Sequence, residues 1–579
     1  MANLEHVRHS FAHLLARAVL EHYPSAQLTL GPAIDNGFYY DIFLPKDIKI
    51  GDADLKKIED AMRKHLKTWT TFSHREATPD EAKTAFAGNI FKAELIDEIS
   101  KRGEKITLYK SGDFEDLCRG GHVEDAKEMK SDAFKLSHVA GAYWRGDEKN
   151  PMLTRIYGYA FETKDELVAY VTQQEEAKKR DHKKLGVELD LFTFSELVGP
   201  GLPLWTPKGT QLRNTLDNYV WQLRKVHGYE KVEIPHITKK ELYITSGHWD
   251  KYKEDLFRIT TRDGHEFAMK PMNCPHHTQI YARRMWSYRE LPQRYANSTM
   301  CYRDEQSGEL SGLSRVRAFT QDDAHVFCRM SDAKTEFLKI WDIVHEFYGT
   351  FGFTLRVRIS KHDPASPEKY LGDKDRWALA EGMLTEIAKE KNADFFDGIG
   401  EAAFYGPKLD FMAKDAIGRD WQVATIQLDL NMPERFDLTC VNEKGEKERI
   451  VMIHAAIMGS IERFLSILIE HTGGNFPLWL APVQVAIIPI GEAHHPFATK
   501  VNEYLTALDV RTELHTESES LGKKIRAAKV AKVPYTLVIG DQEVADQTVT
   551  LESREAGKVG TISVDDMLRK VSSEIVDKK

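Results

Sequence analysis

The chain has 579 residues, 42% of them hydrophobic and 29% charged, with 80 Lys+Arg against 89 Asp+Glu and a formal net charge of -9. These proportions are those of a globular protein and exclude a disordered or fibrous chain. A mean hydropathy of -0.46, with no apolar run near about 18 residues, excludes a transmembrane helix and a membrane partner. At roughly 150 residues per domain, three or four domains are expected. Mild overall acidity does not forbid RNA binding, because basic patches act locally. Five scattered cysteines cannot build a disulfide framework; reduced thiols in a cytoplasmic enzyme, some as metal ligands, fit better. The opening MANLEHVRHSFAHLL carries Glu5 and lacks a long apolar core, so neither a secretory nor a mitochondrial leader is expected.

In chain order, residues 1–160 mix helical patterns (HSFAHLLARAVLEHY, ADLKKIEDAMRKHLKTW) with strand-like runs (GFYYDIFL, ITLYKS), which predicts an α+β domain. Residues 161–185 read as one charged linker helix ending in a basic cluster, which suits a phosphate backbone or a solvated face equally. Residues 186–480 hold most of the aromatics. Within them LTCVNEKGEKERIVMIH predicts a hairpin turning at Glu443–Gly445. HAAIMGSIERFLSILIEH predicts one long buried helix. NFPLWLAP marks a boundary. Strand and helix patterns then alternate through residues 481–579, predicting a small α/β domain with a mostly parallel sheet. No internal repeat or low-complexity stretch interrupts this order.

Three constellations carry chemistry. His9-x3-His13 puts two imidazoles on one helix face, and Cys118-x3-His122 lies in the Gly-rich turn DLCRGGH. Together they suit either a zinc-like site or a hydrolytic cleft, and spacing does not choose. Cys274 in MKPMNCPHH, His325 in FTQDDAHVF and His454 in VMIHAAIMGS form the second. Each alone reads as a core residue, and His276 and His277 beside Cys274 could be mistaken for ligands. One thiolate with two imidazoles leaves an open fourth position, the pattern of a working zinc. Third, YRDEQSGELSGLSRVRAF sets Arg303, Glu305, Arg315 and Phe319 on a strand–loop–strand, and GSIERF adds Arg463. Paired arginines suit a triphosphate, with Phe319 stacked on a purine. No GxxxxGK[ST] occurs, so a P-loop is excluded.

The combination MKPMNCPHH, FTQDDAH, YGPKLDF, WQVATIQLDL and IHAAIMGSIERF resembles the threonyl-tRNA synthetases over nearly the whole chain. These are class II aminoacyl-tRNA synthetases. NTLDNYVWQLRKVHGYEKVEIPHI, the Arg303 segment and GSIERF are similar to their three motifs, and HSFAHLLA with DLCRGGH to the bacterial-type editing domain. The resemblance implies an α+β editing domain, an antiparallel-sheet catalytic core and a C-terminal α/β anticodon-binding domain. It implies ATP-dependent attachment of L-threonine to tRNA(Thr) through threonyl-adenylate, Mg²⁺ entering with ATP, and a homodimer.

By the same resemblance Cys274, His325 and His454 hold one Zn²⁺ per chain, and Met272, Gln321, Asp323, Tyr405, Gln422 and Gln427 line the threonine pocket. Arg303 holds the α-phosphate, Arg315 and Arg463 the outer phosphates, with Glu305 nearby. An apolar pocket separates threonine from valine only ~100-fold, whereas a site built on a polar contact reaches ~10⁴. Serine lacks only a methyl, so a second, hydrolytic site is expected. His9, His13, Lys92, Asp116, Cys118 and His122 match the editing cleft, which is expected to act without metal on seryl-tRNA(Thr). Glu543 matches an anticodon-reading segment, while Glu552 stands where an arginine is expected and Arg554 is a candidate substitute. The small ubiquitin-like domain that precedes many bacterial members is expected to be missing. A non-catalytic relative would have lost a zinc ligand or Arg303 or Arg463; all are present, and they equally disfavour a stand-alone deacylase. The Cys–His–His set disfavours a prolyl or seryl enzyme.

Overall fold

The structure, a computed structural model, describes residues 3–579. It comprises two compact units, one ending at Glu175 and one spanning Glu176–Lys579.

The first unit opens with α1 (Leu4–His22), capped by the Asn3 side chain, which accepts the Glu5 amide. Val7, Phe11, Leu14, Leu15 and Ala18 form its buried face. Next come β1 (Gly37–Phe43), α2 (Leu55–Leu66), α3 (Ile90–Lys101), the hairpin β2 (Ile106–Ser111) and β3 (Phe114–Leu117), and the hairpin β4 (Phe134–Tyr143) and β5 (Met152–Ala160). The predicted helices and strands of this α+β unit are present. β1, β5 and β4 pair antiparallel in that order, and α1 packs on this sheet with α2 beside it. Ser73–Ala77, β2 and β3 make a second, smaller sheet.

The charged segment expected as one helix is two. α4 (Lys164–Arg180) stops at Asp181, whose carboxylate caps the Lys183 amide and starts α5 (His182–Glu188). An aspartate at an N-cap favours a new helix start over continuation. The core then runs through α6 (Pro207–Val226), α7 (Cys274–Tyr281), β6 (Gln293–Tyr302), β7 (Ala318–Cys328), α8 (Met330–Thr350), β8 (Thr354–Lys361), β9 (Lys408–Lys414), β10 (Asp420–Asp429), β11 (Val451–Ser460) and α9 (Ile461–Thr472). Its eight-stranded sheet has the order Glu230–Lys231, β6, β7, β11, β10, β9, β8, Phe395–Ile399. It is antiparallel except at its two outermost pairings. α8 buries Phe337, Ile340, Trp341, Val344 and Phe347 in the largest hydrophobic core.

One expectation fails here. His454–Ser460 is strand, not the start of a helix; α9 begins only at Ile461, with Ser460 as its cap. β11 pairs on both edges and is buried on both faces, so its apolar run mimics a buried helix. The predicted hairpin is present, Thr439–Val441 pairing with Lys447–Arg449.

The C-terminal part contains β12 (Val485–Pro489), α10 (His495–Thr506), β13 (Thr512–Leu514), α11 (Leu521–Val530), β14 (Tyr535–Ile539), the hairpin β15 (Thr548–Ser553) and β16 (Gly557–Ser563), and α12 (Val564–Val576). The sheet is mixed, not mostly parallel: β13, β12 and β14 are parallel, and β15 and β16 add antiparallel. A three-residue link joins β15 to β16, too short for the crossover a parallel pair requires. Among the described residues no helix is long and apolar enough to cross a membrane.

Candidate functional site

Register builds the first site. Tyr295, His325, His454 and Gln427 stand opposite one another on β6, β7, β11 and β10. Directly paired residues share a face, and the two-residue repeat adds Asp323 and Gln321 to it. Between Asp322 and Ala324 the pairing with β11 shifts. The Asp322 carboxylate stabilises that bulge by accepting the amides of Ile457 (3.0 Å) and Met458 (2.9 Å), and it is ion-paired to Arg224. α7 packs on β7, and Cys274 at its start completes a buried trio with His325 and His454, the three donor atoms within 4.8 Å of one another.

The outer nitrogens of both imidazoles are held. His454 Nε2 lies 3.0 Å from Asp429 Oδ2. A carboxylate only accepts, so the proton is on Nε2 and Nδ1 faces inward. His325 Nδ1 lies 2.8 Å from His277 Nδ1, and its Nε2 lies 3.1 Å from His454 Nδ1. Burial, then His277 and His454, push His325 well below its ordinary value, and burial pushes His277 down to about 3. Burial, then Asp323 and Asp429, push the Cys274 thiol well up. Burial also raises Asp323 to about 6 against the pull of His454 and of the Asn273 amide, which donates to it at 3.1 Å. A sulfur and two nitrogens converging in a dry site, with outer nitrogens oriented, suit a soft-to-borderline dication.

The other residues expected in the threonine pocket lie at varied distances from this row. The Tyr405 and His454 rings are 5.1 Å apart, and Gln427 donates to the Gly406 carbonyl at 2.8 Å. Gln321 accepts from Cys301 at 3.5 Å. Met272 accepts from Arg303 Nη2 at 3.1 Å. Gln422 is held further along β10, donating to Asp410 and accepting from Arg358, both at 2.8 Å. Arg303 crosses the Phe319 ring at 5.1 Å, and its buried Nε has no partner among the described residues. Arg315 pairs with Glu305 (2.7 Å) and Glu309 (3.0 Å). Arg463 stands exposed in the first turn of α9, its guanidinium held below the ordinary value by partial desolvation and then by the charge of Arg315.

A second cluster occupies a cleft of about 620 Å³ in the first unit. α1 presents His9 and His13; β3 presents Asp116; the turn after it presents Cys118 and His122. Gly120 and Gly121 adopt φ +105° and +84° there, and a Cβ on Gly120 would meet the Tyr109 hydroxyl at 2.6 Å, so only glycine fits. Cys118 Sγ lies 3.3 Å from His122 Nε2 and 3.5 Å from His9 Nε2. Ser10 donates to the His6 carbonyl at 2.8 Å. It therefore accepts from His122 Nδ1, 3.2 Å away, which leaves His122 Nε2 free to face the thiol. Burial holds His9 below its ordinary value and His13 and His122 far below, and raises the Cys118 thiol to about 11. Lys92 pairs with Asp116 at 2.6 Å, and the Tyr40 hydroxyl donates to the same carboxylate.

In the C-terminal part Glu543 accepts the Gly540 amide (2.9 Å) and the Thr550 hydroxyl (2.7 Å). Glu552 pairs with Lys529 at 2.8 Å. Arg554 donates to the carbonyls of Lys532 (2.8 Å) and Phe476 (2.9 Å), so its guanidinium serves the fold. Sequence reasoning missed Ser10, Tyr40, His277 as an orienting group, and Asp429. Asp429 carried a signal: it follows Gln427 by two on a strand, hence on the same face.

The antiparallel sheet with its row of ligand-type side chains, the Arg303–Arg315 loop and the Arg463 helix define the core of a class II aminoacyl-tRNA synthetase. Accordingly, residues 257–472 match the tRNA synthetase class II core domain (G, H, P, S and T), residues 484–574 an anticodon binding domain, and residues 106–157 the threonyl and alanyl tRNA synthetase second additional domain. A threonine–tRNA ligase of Flavobacterium johnsoniae is 48% identical over 98% of this chain and 88% of its own length. One from Synechococcus elongatus is 45% identical over 100% of this chain and 96% of its own. The solved RNA binding domain of threonyl-tRNA synthetase from Cryptosporidium parvum is 36% identical, with a TM-score of 0.65 over 68% of this chain and 98% of that one. The chain belongs to the threonine–tRNA ligase family.

Proposed function

We propose that the chain activates L-threonine with ATP, esterifies it to the terminal ribose of tRNA(Thr), and hydrolyses seryl-tRNA(Thr) made in error. The buried trio of Cys274, His325 and His454, its outer nitrogens held by His277 and Asp429, carries this reading. These three would hold one Zn²⁺ per chain. Bound there, zinc supplies an open Lewis-acidic position for an amine and a hydroxyl, which valine cannot fill. Asp323 faces the same pocket to receive the ammonium or hydroxyl of threonine, with Met272, Gln321, Tyr405 and Gln427 around it and Gln422 acting from the edge.

Arg303, with an unpartnered buried Nε, is the donor for the α-phosphate. Arg315 exchanges Glu305 and Glu309 for the outer phosphates, beside Arg463. Adenine stacks on Phe319 in the place now covered by Arg303, and Mg²⁺ enters as the counter-ion of ATP. No side chain acts as nucleophile; positioning and preorganised charge lower the barrier. The lost methyl of serine is worth about 1–3 kcal/mol, so serine passes this site and must be removed afterwards. In the first unit, His9 beside Cys118 can orient and deprotonate a water, with His13 and His122 held neutral around it. Lys92 and Asp116 hold the charge beside it, without metal. Glu543 serves the anticodon contact. Apolar Leu197 (99% exposed) and Val226 (81%) fit burial by a second copy in a homodimer, and free cysteines throughout the described residues fit the reducing cytoplasm.

The test is ATP–pyrophosphate exchange with threonine, serine and valine, with and without chelator, alongside zinc stoichiometry. One zinc per chain is expected, with strong exchange on threonine, weaker on serine, none on valine, and loss on chelation. Exchange with valine at the threonine rate, or indifference to zinc removal, overturns the reading.

A further inference from the structure

We propose that His182 is a positioning residue for ATP, a buried imidazole that staples the loop carrying Arg315 to the helix carrying Arg463. It stands at the first residue of α5, 4% exposed. Its Nδ1 lies 2.6 Å from Glu470 Oε1 on α9, and its Nε2 accepts the Leu313 amide at 3.0 Å. A carboxylate only accepts and an amide only donates, so one tautomer satisfies both. Leu313 is fully buried in the middle of the β6–β7 loop, two residues before Arg315. Gly312, at φ +51°, lies so close that a Cβ would stand 2.3 Å from the ring. Glu470 lies about two turns along α9 from Arg463. Its other oxygen pairs with Arg419 at 2.6 Å, and Arg419 with Asp415 at 2.7 Å, so the carboxylate is braced from behind.

One ring thus ties the loop that carries Arg315 to the helix that carries Arg463. Arg315 is held by Glu305 and Glu309 until phosphates replace them, and a pinned backbone keeps it and Arg463 in place for that exchange. The proposal rests on reading these arginines as ATP ligands.

The experiment uses the full chain, with H182A, H182N and H182Q compared in ATP–pyrophosphate exchange and R463A as reference. H182A should raise the KM for ATP about tenfold, the worth of one buried hydrogen bond. The KM for threonine and the hydrolysis of seryl-tRNA should stay unchanged. H182Q, whose amide can both donate and accept, should restore most of the loss. H182N, too short to reach both partners, should not, and it carries the test if H182A does not fold. An unchanged KM for ATP in H182A, threonine and ATP KM rising in step, or equal behaviour of H182N and H182Q overturns the proposal. An unchanged KM for ATP in R463A overturns the reading of the arginines instead.

Discussion

Two clusters in this molecule use the same residue types, one cysteine among histidines with donor atoms within 4.8 Å, yet their surroundings differ. In the core, His325 and His454 sit on adjacent strands, and Asp429 and Asp323 stand by with negative charge. In the first unit, Cys118 and His122 sit on a glycine-shaped turn, and the nearby carboxylate of Asp116 is already matched by Lys92. A dication at the first site would find compensating charge; at the second the nearby carboxylate is already neutralised by Lys92. The two clusters share ligand types, and the charge just beyond them is what favours a metal at the first and a hydrolytic role at the second.

Cys274 is the position where the two clusters should separate most sharply. C274S should empty the metal site and cost several kcal/mol in threonine activation, roughly 10³-fold, with zinc content falling to zero and seryl-tRNA hydrolysis intact. Zinc retained in C274S, or lost in C118A, would reverse the two roles. C118A or H122A should slow seryl-tRNA hydrolysis roughly 10²-fold while threonylation stays at its original rate; normal clearance would remove the hydrolytic assignment. D429N keeps the trio and takes charge from behind His454, so zinc affinity against a competing chelator should fall about 10–100-fold. An unchanged affinity would mean that Asp429 does not orient the ring. The smallest effect is a pH dependence. With the Cys118 thiol raised to about 11 by burial, the thiolate stays scarce below that value. Its iodoacetamide alkylation should climb about tenfold per pH unit from pH 7.5 to 9.5 without levelling. A flat, chelator-sensitive rate would reveal a bound metal instead.

Gln321, Asp323 and His325 were assigned to the core site through the family resemblance; their two-residue spacing explains why β7 places all three on one face. Cys274 and His454 came from separate segments that only a family resemblance could join, since no local rule brings an α7 residue over β11. The misreading of His454–Ser460 as helix has a physical cause. A strand buried on both faces loses its alternation, and apolar content then speaks for either element. The mixed C-terminal sheet was missed because TLESREAGKVGTIS is mostly polar and half-exposed, so the hairpin leaves little hydrophobic signature. His182 read only as part of a basic cluster; its role depends on Glu470, far along the chain, and on an amide that sequence does not display.

The pairing of His325 with His454 and of His454 with Gln427 ties the proposed metal site to strand alignment. Inserting one residue between Ala318 and His325 would rotate the imidazole to the opposite face of the sheet and erase the pocket while sparing the arginines. Strand length there is consequently intolerant of drift.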